Sequence, residues 1–377
     1  MDLVLTEDQE LIAKTAADFV KEKSPVSRMR ALRDANDATG FSRALWREMA
    51  ELGWVGLAFP EKLGGAGLGF AELAVVLEEL GRTLAPEPFL GTVLLGGQAL
   101  LLGGSDAQQQ AWLPKLCAGD AIVTLAHQEA RSRYDLHHVE TRAERAAGGW
   151  KLHGEKIQVL DGHVADALLV PARTSGAVAD AAGISLFLLT KGAAGLSSTR
   201  QTRVDARGAA LVKLEGAAGE LVGAEGAASE LLARVVDRAT VGLCAEMLGG
   251  MQQAFTLTLE HLKTRKQFDV PIGSFQALKH RAADVFIELE LAKSAVMAAA
   301  RAVDENSAEL AKLASLAKAK CSDAYLLAAH EGVQMFGGVG MTDEYDIGLY
   351  LKRARAAELT FGDSAFHRAR WASLNGY

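Results

Sequence analysis

The chain has 377 residues, which at roughly 150 residues per domain points to two or three domains. Hydrophobic residues make up 49% and charged residues 23%, ordinary globular usage that excludes wholesale disorder and allows a buried core without disulfides. A net charge of −7 argues against a nucleic-acid or polybasic membrane-surface role, because phosphate recognition needs a clustered positive footprint. Three scattered cysteines, Cys117, Cys244 and Cys321, argue against a disulfide framework or a Cys-rich zinc site and fit a reducing compartment. The acidic start, Met1 to Asp8, lacks the basic region and apolar core of a secretory signal. A soluble, cytoplasmic protein is expected, with no nucleic-acid and no membrane partner.

Along the chain, Thr6-x-x-Gln9 is a capping-box pattern ahead of Leu11, Ile12, Ala16, Phe19 and Val20 at helical spacing. Ser42 to Leu52 reads as a short helix, and the glycine loop Phe59 to Gly67 leads into another at Phe70–Leu80. The uncharged stretch Pro88 to Ser105 is broken by Gly91, Gly96, Gly97, Gly103 and Gly104. A membrane span needs about 20 predominantly apolar residues, so a buried core helix is predicted there. The pattern changes near Ile122. Short β-like runs follow at Gly149–Gly154, Ala167–Val170, Ile184–Leu189 and Leu211–Leu214, with surface loops at Thr174–Gly183 and Lys191–Ser198. From about Ala228 the helical period returns. Leu243, Met247, Met251, Phe255 and Leu259 form an apolar stripe, and helices are predicted at Phe275–Asp304, Ser307–Met335 and Asp343–Ala356. The order is helical bundle (1–120), small β domain (121–226), helical bundle (227–377).

Glycine abundance invites a dinucleotide-binding test. Neither Gly65–Gly69 nor Gly337–Gly340 completes G-x-G-x-x-G after a strand, and neither a P-loop nor a G-x-S-x-G elbow occurs. His137, His138 and Glu140 lack metal-site spacing and read as solvated loop residues, so no metal is expected. The run Arg265 to Gln276 says more: it breaks one long helix and starts another, with an Arg, two Gln and two Phe in a tight turn. Arg can fork onto a phosphate pair beside a helix N-terminus, or the run is a polar connection with Phe268 and Phe275 plugging the core. Gln334 to Met341 closes another helix, where Gly337 and Gly338 either admit a flat or anionic ligand or simply stop the helix.

R-K-Q-F followed by P-I-x-x-F-Q, then Q-M-F-G-G-x-G-M-x-x-E-Y, resembles the C-terminal bundle of the acyl-CoA dehydrogenase family. Leu52-Gly53-Trp54 with Pro60-Glu61 and Gly64-Gly65 matches as well, and Trp150 to Lys156 is similar to that family's middle domain, so the resemblance spans essentially the whole chain. It implies an α+β fold with an N-terminal helical bundle, a small middle β-barrel domain and a C-terminal four-helix bundle. It further implies FAD, dimers or dimers of dimers, and α,β-desaturation of an acyl-CoA thioester, with electrons passed to an electron-transfer flavoprotein. In such chemistry a carboxylate removes the α-proton while the β-hydride goes to flavin N5.

Family residues carry over unevenly. By resemblance, Arg265, Gln267, Phe268 and Gln276 match the turn that reaches the pyrophosphate of a neighbouring subunit's flavin, and Gln334, Gly337 and Gly338 match the turn beside its adenosine. Where the family usually reads T-E-P-x-A-G-S-D, this chain has Gln128-Glu129-Ala130-Arg131-Ser132-Arg133-Tyr134-Asp135. Where it reads W-I-T or W-I-S, this chain has Gln158-Val159-Leu160. The family's common base is the Glu of Tyr-Glu-Gly, and here the triplet is Thr360-Phe361-Gly362; an alternative base position falls near Ala239. Asp237 matches an acidic residue that contacts CoA in relatives, although Thr240 stands where an Arg is common. Asp363 is the nearest carboxylate to Phe361, at a position that more often touches the cofactor.

One half-site kept and one lost points to the non-catalytic subunit of a hetero-oligomer such as a heterotetramer, with a related dehydrogenase subunit supplying the catalytic Glu. Split-site members of the family handle bulky or unusual acyl chains, such as steroid side chains or dicarboxylic thioesters. The alternatives are a homo-oligomeric enzyme with a displaced base, Asp363 or Glu129, a flavin-free scaffold subunit, and a flavin monooxygenase on the same fold.

Overall fold

The computed structural model describes residues 4–377; Met1 to Leu3, part of the acidic start, lie outside the described residues. Helices α1 (Glu7–Lys23), α2 (Val26–Asp34), α3 (Arg43–Glu51), α4 (Phe70–Arg82), α5 (Gln98–Gly103) and α6 (Asp106–Cys117) come first. Strands β1 (Val123–Leu125), β2 (Arg142–Ala146), β3 (Gly149–Leu160), β4 (Ala167–Arg173), β5 (Ile184–Thr190), β6 (Leu196–Thr202) and β7 (Gly208–Val222) follow. Then come α7 (Ala228–Thr264), a hairpin of β8 (Lys266–Gln267) and β9 (Val270–Pro271), and helices α8 (Gln276–Asp304), α9 (Leu310–Phe336), α10 (Ile347–Leu359) and α11 (Ser364–Leu374). The chain forms two compact units. One comprises the segments up to Ala31, Phe70–Ala85 and Thr240–Tyr377, the other Leu32–Gly69 and Pro86–Ala239.

In the second unit, Ser42 caps α3 by accepting from Leu45 N–H at 3.2 Å, which satisfies a first-turn amide. The uncharged stretch after Pro88 is a π-helical turn, Phe89–Gly97, buried along its whole length and continued by α5. No helix among the described residues is long and apolar enough to cross a membrane. Strands β4, β2, β3, β7 and β5 pair in that order and β5 pairs back onto β4, so they close into a small barrel. β1 lies parallel beside β4, and β6 runs antiparallel along β7.

Strand β6 corrects the expected loop at Lys191–Ser198, since pairing begins at Leu196 and continues to Thr202. Its Ser and Thr side chains are mostly exposed, so backbone pairing with β7, not an apolar pattern, makes the strand. β2, Arg-Ala-Glu-Arg-Ala, was invisible for the same reason. The small-residue loop after β4 is held from inside. Buried Arg173 donates to the carbonyls of His137 and Val178 at 2.7 Å, Asp180 at 2.6 Å and Ala182 at 3.0 Å.

In the first unit the capping box of Thr6 and Gln9 forms at the start of α1. Helices α4 and α7 cross at backbone contact: a Cβ on Gly249 would lie 1.7 Å from Glu78 O, and one on Gly81 2.0 Å from Glu246 O. Helix α9 packs on α8, α10 and α11. Its link to α7 is marked by Gly250 under the Tyr325 ring and by Cys321 Sγ, 3.9 Å from Cys244 O. On the α7 stripe, Leu243, Met247 and Met251 are buried, while Phe255 is half-buried and stacks on Phe286 of α8 at 6.4 Å. Buried Glu246 pairs with buried Arg353 of α10 at 3.0 Å. The mixed architecture, in chain order helices, a small barrel and C-terminal helices, is the α+β fold expected, with α11 as an unanticipated extra helix against α9.

Candidate functional site

The Arg265 run folds as a two-residue hairpin between α7 and α8. Lys266 pairs with Pro271 and Gln267 with Val270, and Ile272 N–H donates to Arg265 O at 2.9 Å. The two turn residues, Phe268 and Asp269, have φ of 53° and 62°. That is the primed hairpin geometry that normally calls for Asn-Gly, so two side-chain-bearing residues are held here in strained backbone. Phe268 is 86% exposed and meets Phe275 edge-on at 6.1 Å, so it plugs no core. Gln276 opens α8 on the exposed surface.

The second motif ends α9. Gly337 has φ of 69°, and its N–H donates to the carbonyl of Gln334, itself exposed one turn back. A Cβ on Gly337 or on Gly338 would meet nothing within 4 Å. Positive φ accounts for glycine at 337, but neither torsion nor protein packing requires it at 338.

These two termini face one open cleft of about 710 Å³, lined by Arg265, Gln267, Gly337 and Gly338 among others. One wall is aromatic. The His261 ring stacks on Phe336 at 4.1 Å and 14°, and Phe336 meets Tyr345 edge-on at 5.5 Å. Partial burial, then the Arg265 charge, lowers the His261 pKa and keeps the ring neutral. Phe336 and Tyr345 lie in the motif that carries the resemblance but were given no site role, and His261, one helical turn before Arg265, was not singled out. A guanidinium, an amide, two glycines in open space and a flat neutral wall together can receive an anion joined to a planar ring.

The remaining expected residues lie elsewhere. Asp237 is buried on α7 within the second compact unit. Asp363 is the N-cap of α11 and accepts from Phe366 N–H at 2.8 Å. Phe361 is half-buried with φ of 63°. Glu129 is buried against buried Lys156, with Nζ to Oε1 at 2.6 Å. It also accepts from Thr141 Oγ1 and Glu140 N–H at 2.6 Å and Thr141 N–H at 3.0 Å. Burial alone would raise its pKa, but the Lys156 charge and these donors bring it below the ordinary carboxylate value. Leu160 is buried, and Gln158, exposed at φ of 51°, donates its N–H to Gln201 Oε1 at 3.2 Å. His138 Nε2 lies 3.3 Å from Glu140, and no cluster among the described residues could hold a metal ion.

The acyl-CoA dehydrogenase N-terminal domain family matches residues 6–120, the middle domain family 124–216 and the C-terminal domain family 230–373. The chain is 32% identical to acyl-CoA dehydrogenase IpdE2 of Mycobacterium tuberculosis, covering 93% of this chain and 92% of that protein. Among solved structures, the Tcur3481–Tcur3483 steroid ACAD variant superposes with a TM-score of 0.88 at 30% identity over 98% of both chains. The ChsE4–ChsE5 complex from Mycobacterium tuberculosis superposes with 0.90 at 29% identity over 100% of both. This chain belongs to the acyl-CoA dehydrogenase family of FAD-dependent oxidoreductases.

Proposed function

We propose that this chain is the non-catalytic subunit of a hetero-oligomeric acyl-CoA dehydrogenase, built from an N-terminal, a middle and a C-terminal domain at 1–120, 121–226 and 227–377. In this reading it supplies the adenosine-diphosphate half of a flavin site to a related subunit that carries the catalytic Glu. The observation that carries the reading is the single cleft joining Arg265 and Gln267 to Gly337 and Gly338. Gly338 has no torsional or packing reason to be glycine within this chain, so the space over it suits a ligand that approaches the backbone closely. The cleft residues fit a pyrophosphate and adenine: Arg265 and Gln267 would hold the phosphates, and the His261–Phe336 wall would lie beside the base. When bound, FAD supplies hydride acceptance, the chemistry that no side chain here provides.

By resemblance, the residues matching the isoalloxazine half lack the chemistry that half needs. Phe361 cannot accept a proton, Leu160 offers no hydroxyl, and Gln158 offers no aromatic face. Two further observations support a partner. Phe286, Ile287 and Leu291 leave an apolar patch exposed on α8, and two similar structures are named as pairs of distinct chains, one of them a steroid ACAD. The assembly would desaturate a bulky acyl-CoA and pass electrons to an electron-transfer flavoprotein. The test is to purify the chain alone and with a related dehydrogenase subunit, recording the flavin spectrum and acyl-CoA oxidation for each. Flavin and turnover should appear in the assembly only. Full FAD occupancy with turnover by the chain alone would overturn the proposal.

A further inference from the structure

Lys318 is a charged side chain in a fully buried place, the middle of α9. Its Nζ donates to Gly362 O at 2.7 Å, Glu358 O at 2.8 Å and Ser322 Oγ at 3.2 Å, so its three protons have three acceptors. Two of those acceptors are backbone carbonyls flanking Phe361. The third carbonyl of that segment, Phe361 O, lies 3.2 Å from Nε2 of buried His367 on α11. A carbonyl can only accept, so Nε2 carries the ring proton, and Nδ1 is left with no protein partner. The segment gripped in this way is strained: Phe361 has φ of 63° and Gly362 φ of 124°. A Cβ on Gly362 would lie 2.5 Å from the Phe366 ring and 2.7 Å from His367 Nε2, so the turn closes directly on the imidazole.

We propose that Lys318 and His367 are positioning residues that fix the backbone of residue 361 in its left-handed conformation, whatever side chain stands there. The inference rests on Phe361 occupying the family's base position, as in the proposed function. The hydrogen bonds of the grip go to carbonyls 358, 361 and 362, that is, to backbone and not to side-chain atoms of this segment. The chain therefore keeps the frame of a base-bearing loop after the base itself has gone. Burying an ammonium is unfavourable, and desolvation moves the Lys318 pKa down to about 8, against the pull of nearby groups that include Glu358 and Asp363, while its hydrogen bonds go to two backbone carbonyls and one hydroxyl.

The test is amide hydrogen exchange on the full chain, read peptide by peptide, so that it depends on neither flavin nor partner. In Lys318→Met, and separately in His367→Phe, amides of residues 358–364 should exchange about tenfold faster or more, with α8 and the barrel strands unchanged. Phe361→Leu should leave the same amides at their parental rates. Leu289→Ala, a core substitution on α8, controls for general loosening. Unchanged exchange at 358–364 in both clamp variants would overturn the proposal. So would an increase there that Leu289→Ala reproduces, or a Phe361→Leu change as large as that of the clamp variants. If Lys318→Met does not fold, His367→Phe decides. A failure of the split-site reading shows in flavin and turnover, and a failure of the clamp shows only in this exchange.

Discussion

His367 should make the fold acid-labile in a way that one substitution removes. Burial first, then the nearby Lys318 and Arg370 charges, push its pKa down to about 3, from an unfolded value near 6.5. Above about pH 6.5 the imidazole is neutral in both states and contributes nothing to the pH dependence. Below it the unfolded chain takes up a proton that the folded chain refuses. Stability then falls by about 1.4 kcal/mol per pH unit until roughly pH 3. At pH 5 the loss is about 2 kcal/mol, and by pH 3 it approaches about 5 kcal/mol. Gln at this position keeps an N–H donor for Phe361 O but cannot titrate. Urea unfolding of parent and His367→Gln at pH 7 and pH 5 gives four stabilities, and the parent should lose about 2 kcal/mol more than the variant. His127, which burial holds down at about 4, titrates in both proteins and cancels in that difference. Equal losses in the two proteins would refute the assignment of a buried neutral imidazole.

Lys156→Met should destabilise the chain by about 3–5 kcal/mol in denaturant unfolding, because it leaves the Glu129 carboxylate buried without its counter-charge. Gly249→Val drives a side chain into the Glu78 carbonyl and should cost about 3 kcal/mol or more, or give no soluble protein. A Cβ at 338 meets no protein atom within 4 Å, so Gly338→Val should leave stability within about 0.5 kcal/mol while lowering flavin retention in the proposed assembly. Asp363→Ala removes a helix cap and should cost about 1 kcal/mol in thermal or urea unfolding without abolishing turnover by the assembly. Lost turnover with an intact fold would instead make Asp363 the base.

Much of the fold was legible because its elements carry local signals. The Thr6–Gln9 box, the Ser42 cap and the four-residue apolar period of α7 mark helices that the structure contains. Strands β2 and β6 were not legible, since one is charged, the other is Ser/Thr-rich, and both are made by backbone pairing with strands β3 and β7, not by an apolar alternation of their own. Both termini of the cleft were read from motifs, but their meeting followed from the family resemblance alone, because 70 positions separate Gln267 from Gly337 and no local pattern joins them. The aromatic wall was missed for a simpler reason. A His on one helix and a Phe at the end of another, 75 positions apart, look unrelated until their stacking is seen. Lys156 and Lys318 carried no signal at all: a lysine in a helix or strand reads as surface, and only the finished fold shows both buried.

A general base needs a carboxylate that can give and take a proton beside the substrate. Here the candidate carboxylates have other work. Glu129 receives a lysine, a hydroxyl and two amides, Glu246 holds Arg353, and Asp363 caps α11. Releasing any of them would uncover a buried charge or an uncapped helix end, so recruiting one as a base would oppose stability. The loop at 361 points the same way from the opposite side. A non-glycine residue held at positive φ, as Phe361 is, is unfavourable by about 1–3 kcal/mol. Yet a buried lysine and a buried histidine are committed to keeping the turn. Had the whole site lapsed, relaxation of this turn would be the cheapest change available to the chain. On the proposed split-site reading, a turn held this firmly around a residue that is no carboxylate is what a subunit that still needs the surrounding frame, but not the base, should look like.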